Sequence, residues 1–450
     1  MAARRRSGDA ETESERARLW PPPQGFGLAL AAIALVFAGH LAFGALLAIP
    51  ALIGATASAA LLLVCLATPA LRRDLLRIRG LLAPGGLFLI VIVLGLLSLT
   101  PYAPGGAHPV WDFVGVRPGA ATIDRSATVL ELAKLLGLAC LFLVGVTTGA
   151  SDERARTAVN LFILAAAAFG AYAFIGFVTG SIHQSQNGRL EGTLMSPNTA
   201  GTFFALASVL VLGPLLRRLR GRSAATALQA APGYWAALLI LLACLLMTAS
   251  RGAALASAAA VAALFVLLAW AGRLKWTRAS LVLLAGAVAL ALAVALFGET
   301  LMARFTRVEE DALSRADLFR LHWNAFLASP WSGYGLGTFD TIHRTLLDSS
   351  SVEALWRVRA THNVYIQWLE ETGVFMAAAM FTCIGLIVFT ASVRGLRRSR
   401  MTQILFALIA VDMVFIVHGL SDFALQTPSM AMMWSYLLGL QFGLSQGSQR

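Results

Sequence analysis

Apolar runs long enough to cross a bilayer recur along the whole of this 450-residue chain. A run of about 17 to 25 such residues can satisfy its backbone in lipid by forming a helix. Twelve candidate spans centre on 26–48, 50–70, 84–100, 128–149, 158–179, 199–216, 234–249, 253–271, 279–298, 363–392, 402–421 and 428–446. Composition agrees, with 58% hydrophobic and 13% charged residues, against roughly half and a quarter in soluble domains. The expected fold class is all-α, a polytopic integral membrane helix bundle of about 12 transmembrane helices. A basic cytoplasmic tail over 1–25 precedes a single transmembrane domain over 26–450.

The net charge of +12 sits in short loops, which argues for membrane topology and against nucleic acid as a partner. "LRRDLLRIRG", "LRRLRGR", "GRLKWTR" and "RGLRRSR" fall on alternate sides of consecutive hairpins. Assigning them to the cytoplasm, with both termini and the Arg154/Arg156 loop, places 23 of the 35 Lys and Arg there. The first span lacks a convincing cleavage signal and reads as retained. Cys65, Cys140, Cys244 and Cys383 all lie within spans, which implies neither a disulfide framework nor a cysteine metal site.

The outward segments are then 101–127, 180–198, a turn near 249–252, 299–361 and a link near 422–427. The largest, 299–361, is longer than a connection needs and is expected to be a partly helical periplasmic loop. "DALSRADLFRLHWNAFLASP" spaces Leu313, Leu318, Leu321 and Phe326 as a surface helix at the membrane interface. Gly333, Gly335 and Gly337 mark a tight turn after it. They follow a helix and lack the full dinucleotide spacing, so a nucleotide fingerprint is rejected.

Four outward places carry candidate chemistry. In "GRLEGTLMSPNTAGTFF", Asn198 is placed to cap the helix after Pro197, and Arg189 precedes it by nine residues. That pair reads either as an anion site at a helix start or as an ordinary cap beside an interface arginine. Arg251 in "MTASRGAAL" sits in a tight outward turn, either snorkelling or functional. In "RATHNVYIQWLEETG", Thr361 is a candidate N-cap and His362 a first-turn residue. The helix dipole there disfavours the imidazolium, leaving a neutral ring able to accept a proton. The other reading of His362 is a histidine simply hydrogen-bonded at a helix start. Glu371 lies about 13 Å along the axis, within the apolar layer, with Lys134 as a possible embedded partner and a structural role. In "FIVHGLSDFALQTP", His418, Asp422 and Pro428 either line the same cavity or hold the last outward turn together.

Together "RLEGTLMSPNTAG", "TASRG", an arginine-bearing loop ending in "ASPWSGYGLGTF", "THNVYIQWLEETG" and "HGLSDFALQTP" resemble the O-antigen ligase and O-antigen polymerase superfamily, in order and spacing over about residues 185–430. The resemblance implies a metal-independent glycosyltransferase of the bacterial inner membrane, with no cofactor and its active site facing the periplasm. Its donor is a glycan on undecaprenyl diphosphate, and its acceptor is lipid A-core or another lipid-linked glycan, among membrane lipids. Carried over by motif, Arg189, Arg251 and His362 match the functional arginines and histidine, with Asn198 and Asn363 as companions. Arg315 or Arg320 matches the arginine of the large loop, and spacing to Pro330 favours Arg315. Direct displacement would invert the anomeric configuration.

Ligase is favoured slightly over polymerase, and a related group of the family glycosylates protein. From a different class, a transporter or flippase is suggested by embedded Lys134, Glu371 and Asp412. It would concentrate polar groups near the midplane. A non-catalytic scaffold would tolerate loss of Arg251 or His362.

Overall fold

The computed structural model describes residues 25–182, 188–220, 226, 229–274, 308–349 and 351–447. The expected tail over 1–25, apart from Gly25, the span at 279–298, the first part of the large loop and the side chain of Leu313 lie outside the described residues. What is described is all helical. The helices of eight residues or more are α1 (Phe26–Leu41), α2 (Ala48–Ala67), α3 (Pro69–Arg77), α4 (Leu82–Ser98), α5 (Arg125–Gly149), α6 (Asp152–Thr179) and α7 (Pro197–Leu219). After these come α8 (Pro232–Met247), α9 (Arg251–Trp270), α10 (Val308–Ala328), α11 (Phe339–Leu346), α12 (Val364–Arg397), α13 (Thr402–His418) and α14 (Pro428–Ser445).

Each expected span among the described residues coincides with a helix. Six of these helices are long and apolar enough to cross a membrane. A seventh span results if α3 and α4 are joined across their 97° bend, and α1, α8 and α13 are shorter apolar helices. Large apolar side chains such as Leu63, Leu164, Ile175, Leu239, Leu255 and Phe389 point outward, which is stable for helices in hydrocarbon and costly in water.

The centre of the bundle is α7, buried almost along its length and enclosed by α8, α9 and α13. Against α5 lies α14, buried except at Ala431. Their contact is made by paired glycines. A Cβ on Gly145 would lie 2.3 Å from the Tyr436 carbonyl oxygen, and one on Gly439 2.0 Å from that of Phe142. Gly149 and Gly443 repeat the arrangement four residues on. Small residues at this spacing let two backbones touch, so dispersion and weak contacts replace the hydrophobic drive that lipid removes.

The two ends of the bundle differ chemically. One is rich in arginine: Arg154 pairs with Asp74 at 2.5 Å, buried Arg398 pairs with Asp152 and donates to the Leu444 carbonyl, and Arg273 donates to the Arg398 and Ser399 carbonyls at 2.9 Å. This is the end that the positive-inside pattern assigns to the cytoplasm. At the other end the segments around 101–127, 188–196, 248–252, 329–349, 351–363 and 419–427 are joined by bonds and ring contacts such as Ile123 N to the Tyr334 carbonyl and His362 against Phe423, and carry the candidate site.

Candidate functional site

The loop before α7 is tied to two helix ends. Leu190 N donates to the Met247 carbonyl at 3.0 Å, at the end of α8. Arg189 Nε donates to the Thr248 carbonyl at 2.7 Å and Nη2 to Asn198 Oδ1 at 2.9 Å. The sequence reading of Asn198 as the cap is corrected here. Ser196 caps α7, its Oγ accepting from Thr199 N at 3.4 Å, with Pro197 at the first helical position. Proline fits there because it lacks an N–H that would otherwise be orphaned, and Asn198 is released to hold the arginine.

Arg251 opens α9, capped by Ser250 Oγ accepting from Ala253 N at 3.4 Å. Its side chain is exposed. The next residue, Gly252, seats the His418 ring: a Cβ there would lie 2.7 Å from it. A Cβ on Gly201 of α7 would likewise lie 2.8 Å from the Ser250 Cβ. The two glycines therefore draw the starts of α7 and α9 and the end of α13 into one cluster. His418 Nδ1 also meets Thr202 Oγ1 at 2.7 Å.

His362 stands just before α12 rather than within its first turn. The N-cap is Asn363, whose Oδ1 accepts from Tyr365 N and Ile366 N at 3.0 Å, while Thr361 Oγ1 donates to the Asn363 carbonyl at 2.7 Å. The expectation of Thr361 as cap is thereby replaced. His362 takes a left-handed backbone, φ 55, a conformation that costs a non-glycine residue about 1–2 kcal/mol. Neighbouring bonds hold it there: Val364 N donates to the Gly419 carbonyl at 2.9 Å and Asn363 Nδ2 to that of Leu420 at 3.1 Å. The ring packs edge-on against Phe423 at 4.8 Å. Burial, and after it the Arg315 charge, brings His362 down to about 4. The ring is held neutral at pH 7, with desolvation the larger cause. Its Nδ1 is buried without a hydrogen-bond partner.

Arg315, on α10, lies within electrostatic range of His362, His418 and Asp422. Arg320 faces away and is exposed, pairing with Asp317 at 3.4 Å. Asp422, in the link to α14, is fully buried with one oxygen 4.0 Å from His418 Nδ1. Burial pushes its carboxyl up to about 7, against the opposing pull of the Phe423 amide, Arg315, the Ala424 amide and Arg189. The structure thus brings Arg189, Asn198, Arg315, His362 and Asn363 to one end of the bundle, around His418 and Asp422, with the exposed Arg251 at the helix start that packs on His418. Arg320 is left outside.

Two further contacts bind the large loop to the membrane helices. The glycine turn docks into a break in α12 at Gly373 (φ 68, ψ 176). Tyr334 N and Gly335 N donate to the Glu370 and Glu371 carbonyls at 3.0 and 2.8 Å, and Val374 N to that of Pro330 at 2.8 Å. Glu371 does not pair with Lys134, which bonds Glu131. Its oxygens instead accept from Gly337 N at 2.8 Å and Gln367 Nε2 at 3.0 Å. Asp412 is satisfied separately by Trp434 Nε1 and Gln441 Nε2, whereas Glu371 lies within electrostatic range of Glu131, the partner of Lys134.

The second contact was not anticipated. His322 Nδ1 lies 2.7 Å from Glu370 Oε1, and its Nε2 lies 3.0 Å from His343 Nδ1, which in turn reaches the Leu355 carbonyl from Nε2 at 2.9 Å. The helical signal was present: His322 shares the buried face of Leu318, Ala325 and Phe326 at a spacing of three and four residues. That face seats α10 on α12.

A multi-pass helical membrane protein with arginines, histidines and a buried acid gathered at one end is the class these features define. Residues 236–381 match the family model described as O-antigen ligase, which supports the resemblance to the O-antigen ligase superfamily and, at that level, a ligase- or polymerase-type membrane glycosyltransferase. The matched segment contains Arg251, Arg315 and His362 and leaves Arg189, His418 and Asp422 outside. No curated protein matches the chain.

Proposed function

We propose that the chain is an O-antigen ligase of the bacterial inner membrane, moving a glycan from undecaprenyl diphosphate to lipid A-core on the periplasmic side. What supports this reading is that Arg189 and Arg315 act on Asp422, the helix start bearing Arg251 packs on His418, and Arg315 acts on neutral His362. The acceptor hydroxyl oxygen forms a bond to the anomeric carbon as the bond from that carbon to the diphosphate oxygen breaks. The leaving electron pair stays on the diphosphate, where guanidinium groups stabilise the charge without a metal. The hydroxyl proton passes to His362. Attack opposite the leaving group inverts the anomeric centre. Arrival of the diphosphate also offsets the Arg315 charge, the lesser of the two influences holding His362 down, and so strengthens the base once donor is bound.

The test is the lipopolysaccharide profile of a deletion strain complemented with wild type, Arg251→Ala or His362→Ala, with membrane abundance of each checked. Wild type is expected to restore a ladder on lipid A-core, and both variants to fail while present in the membrane. Unligated long chains in the deletion strain mark a ligase, and a single repeat on the core marks a polymerase instead. A normal pattern from both variants would overturn the site and leave the transporter or scaffold reading.

A further inference from the structure

At the arginine-rich end, opposite the site above, the start of α6, the end of α7, the turn after α9 and the link between α12 and α13 enclose a cavity of about 440 Å³. Among the described residues its charged lining is Arg156, Arg217, Arg220, Arg273 and Arg400, with Asp152 as the one acid. That acid does not neutralise the group, because it is already engaged by buried Arg398. Arg217 donates to Met401 Sδ at 2.8 Å, and a thioether is a weak acceptor for a cation. Arg273 is tied to the Arg398 and Ser399 carbonyls, and the repulsion among the guanidinium groups of Arg156, Arg217, Arg220 and Arg400 around this open cup is relieved by an anion entering it.

A second, apolar crevice of about 650 Å³ lies between α6 and α8, with Asn160, Ile163, Ala167, Tyr234 and Ile240 in its wall beside Arg218. The two hollows are neighbours. Arg156 and Asn160 are one turn apart on the same face of α6, and Arg217 and Arg218 are successive residues at the end of α7. The geometry points to a binding site for an anionic glycerophospholipid, with its phosphate diester in the arginine cup and an acyl chain in the crevice. Basic pockets between membrane helices suit such headgroups. A soluble phosphate would use the cup alone, and the adjoining apolar crevice favours the lipid. The site is separate from the transfer reaction and stands or falls without it.

The experiment uses the full chain, delipidated in neutral detergent, and adds phosphatidylglycerol, phosphatidylcholine or inorganic phosphate. Native mass spectrometry reads retained lipid, and thermal unfolding reads stabilisation. Phosphatidylglycerol is expected to leave one retained molecule per chain and raise the unfolding midpoint, with no effect of the other two. Arg217→Gln with Arg400→Gln should abolish both signals, while Arg72→Gln, an exposed arginine on α3, keeps them. Ala167→Phe, which narrows the crevice without changing charge, should weaken retention about tenfold and covers the case in which the double variant does not fold. Equal retention of phosphatidylcholine, full stabilisation by inorganic phosphate, or undiminished retention by Ala167→Phe would each overturn the lipid site.

Discussion

Arg189 Nη2 donates to Asn198 Oδ1 at 2.9 Å while its Nε holds the Thr248 carbonyl at 2.7 Å. The arginine is thereby positioned by two helix ends, and Asn198 serves as its bracket rather than as a cap. Asn198→Ala is therefore expected to lower transfer by roughly tenfold to a hundredfold through loss of alignment, with stability nearly unchanged. Ser196→Ala should do the reverse, losing about 1 kcal/mol of stability with a smaller effect on rate. A transfer assay and a thermal melt on both variants separate the two roles.

Of the two loop arginines, only Arg315 reaches the histidines and Asp422. Arg315→Ala should reduce kcat by about 100- to 1,000-fold, as removal of a charge-stabilising donor does. Arg320→Ala should leave transfer unchanged, since its exposed pair with Asp317 contributes less than about 1 kcal/mol. Kinetics of the two purified variants decide between them.

His322 bridges Glu370 and His343 with no exposed surface. His322→Ala leaves polar groups unpaired on both sides, at a cost of about 1–3 kcal/mol. The expected outcome is a lower unfolding midpoint and faster proteolysis within the loop, read by limited digestion of membrane-embedded protein. Since His322 does not belong to the cluster around His362, a loss of rate without loss of stability would contradict this assignment.

Gly252 gives the His418 ring its place. The Cβ of Gly252→Ala would sit 2.7 Å from that ring, so the variant should fold with a penalty of about 1–3 kcal/mol and lose most of its transfer. Its rate relative to Gly233→Ala, where nothing lies within 4 Å, is the comparison to make.

Stability should respond to pH in two opposed ways. His362 and His322 are both lowered from 6.5 to about 4, so the unfolded chain binds more protons between those values. Their contribution is complete above pH 6.5 and is lost as pH falls through about 4. Asp422 is raised from 3.8 to about 7, so its contribution is complete below 3.8 and is lost as pH rises through 7. Asp422→Asn removes only the second effect. Relative to wild type, it should be more stable at pH 8 than at pH 5, as melting curves at the two pH values will show.

The membrane helices were legible because lipid imposes length and apolarity on each one separately, without reference to its partners. The basic loops likewise marked one end of the bundle. Helix caps were less legible: Ser196 and Asn198, or Thr361 and Asn363, are all capable caps, and tertiary bonds decide which residue serves. The pairing of Glu371 is not legible locally for the same reason, since Gly337 N reaches it only after the loop folds back. The paired glycines Gly145/Gly149 and Gly439/Gly443 carry a readable four-residue spacing. The bonds between His322 and Glu370 and between Thr202 and His418 left no local trace, because their partners lie 48 and 216 residues apart.

The order in which the site is assembled has a consequence for the protein's biogenesis. Arg189 and Arg251 emerge from the ribosome well before His362, while His418, the last residue of α13, and Asp422, between α13 and α14, follow later still. The Gly419 carbonyl that receives Val364 N is likewise delivered only with α13. Helix α14 then closes against the much earlier α5 through their shared glycines. A chain halted partway through insertion therefore carries Arg189 and Arg251 without the histidines and the acid that gather beside them.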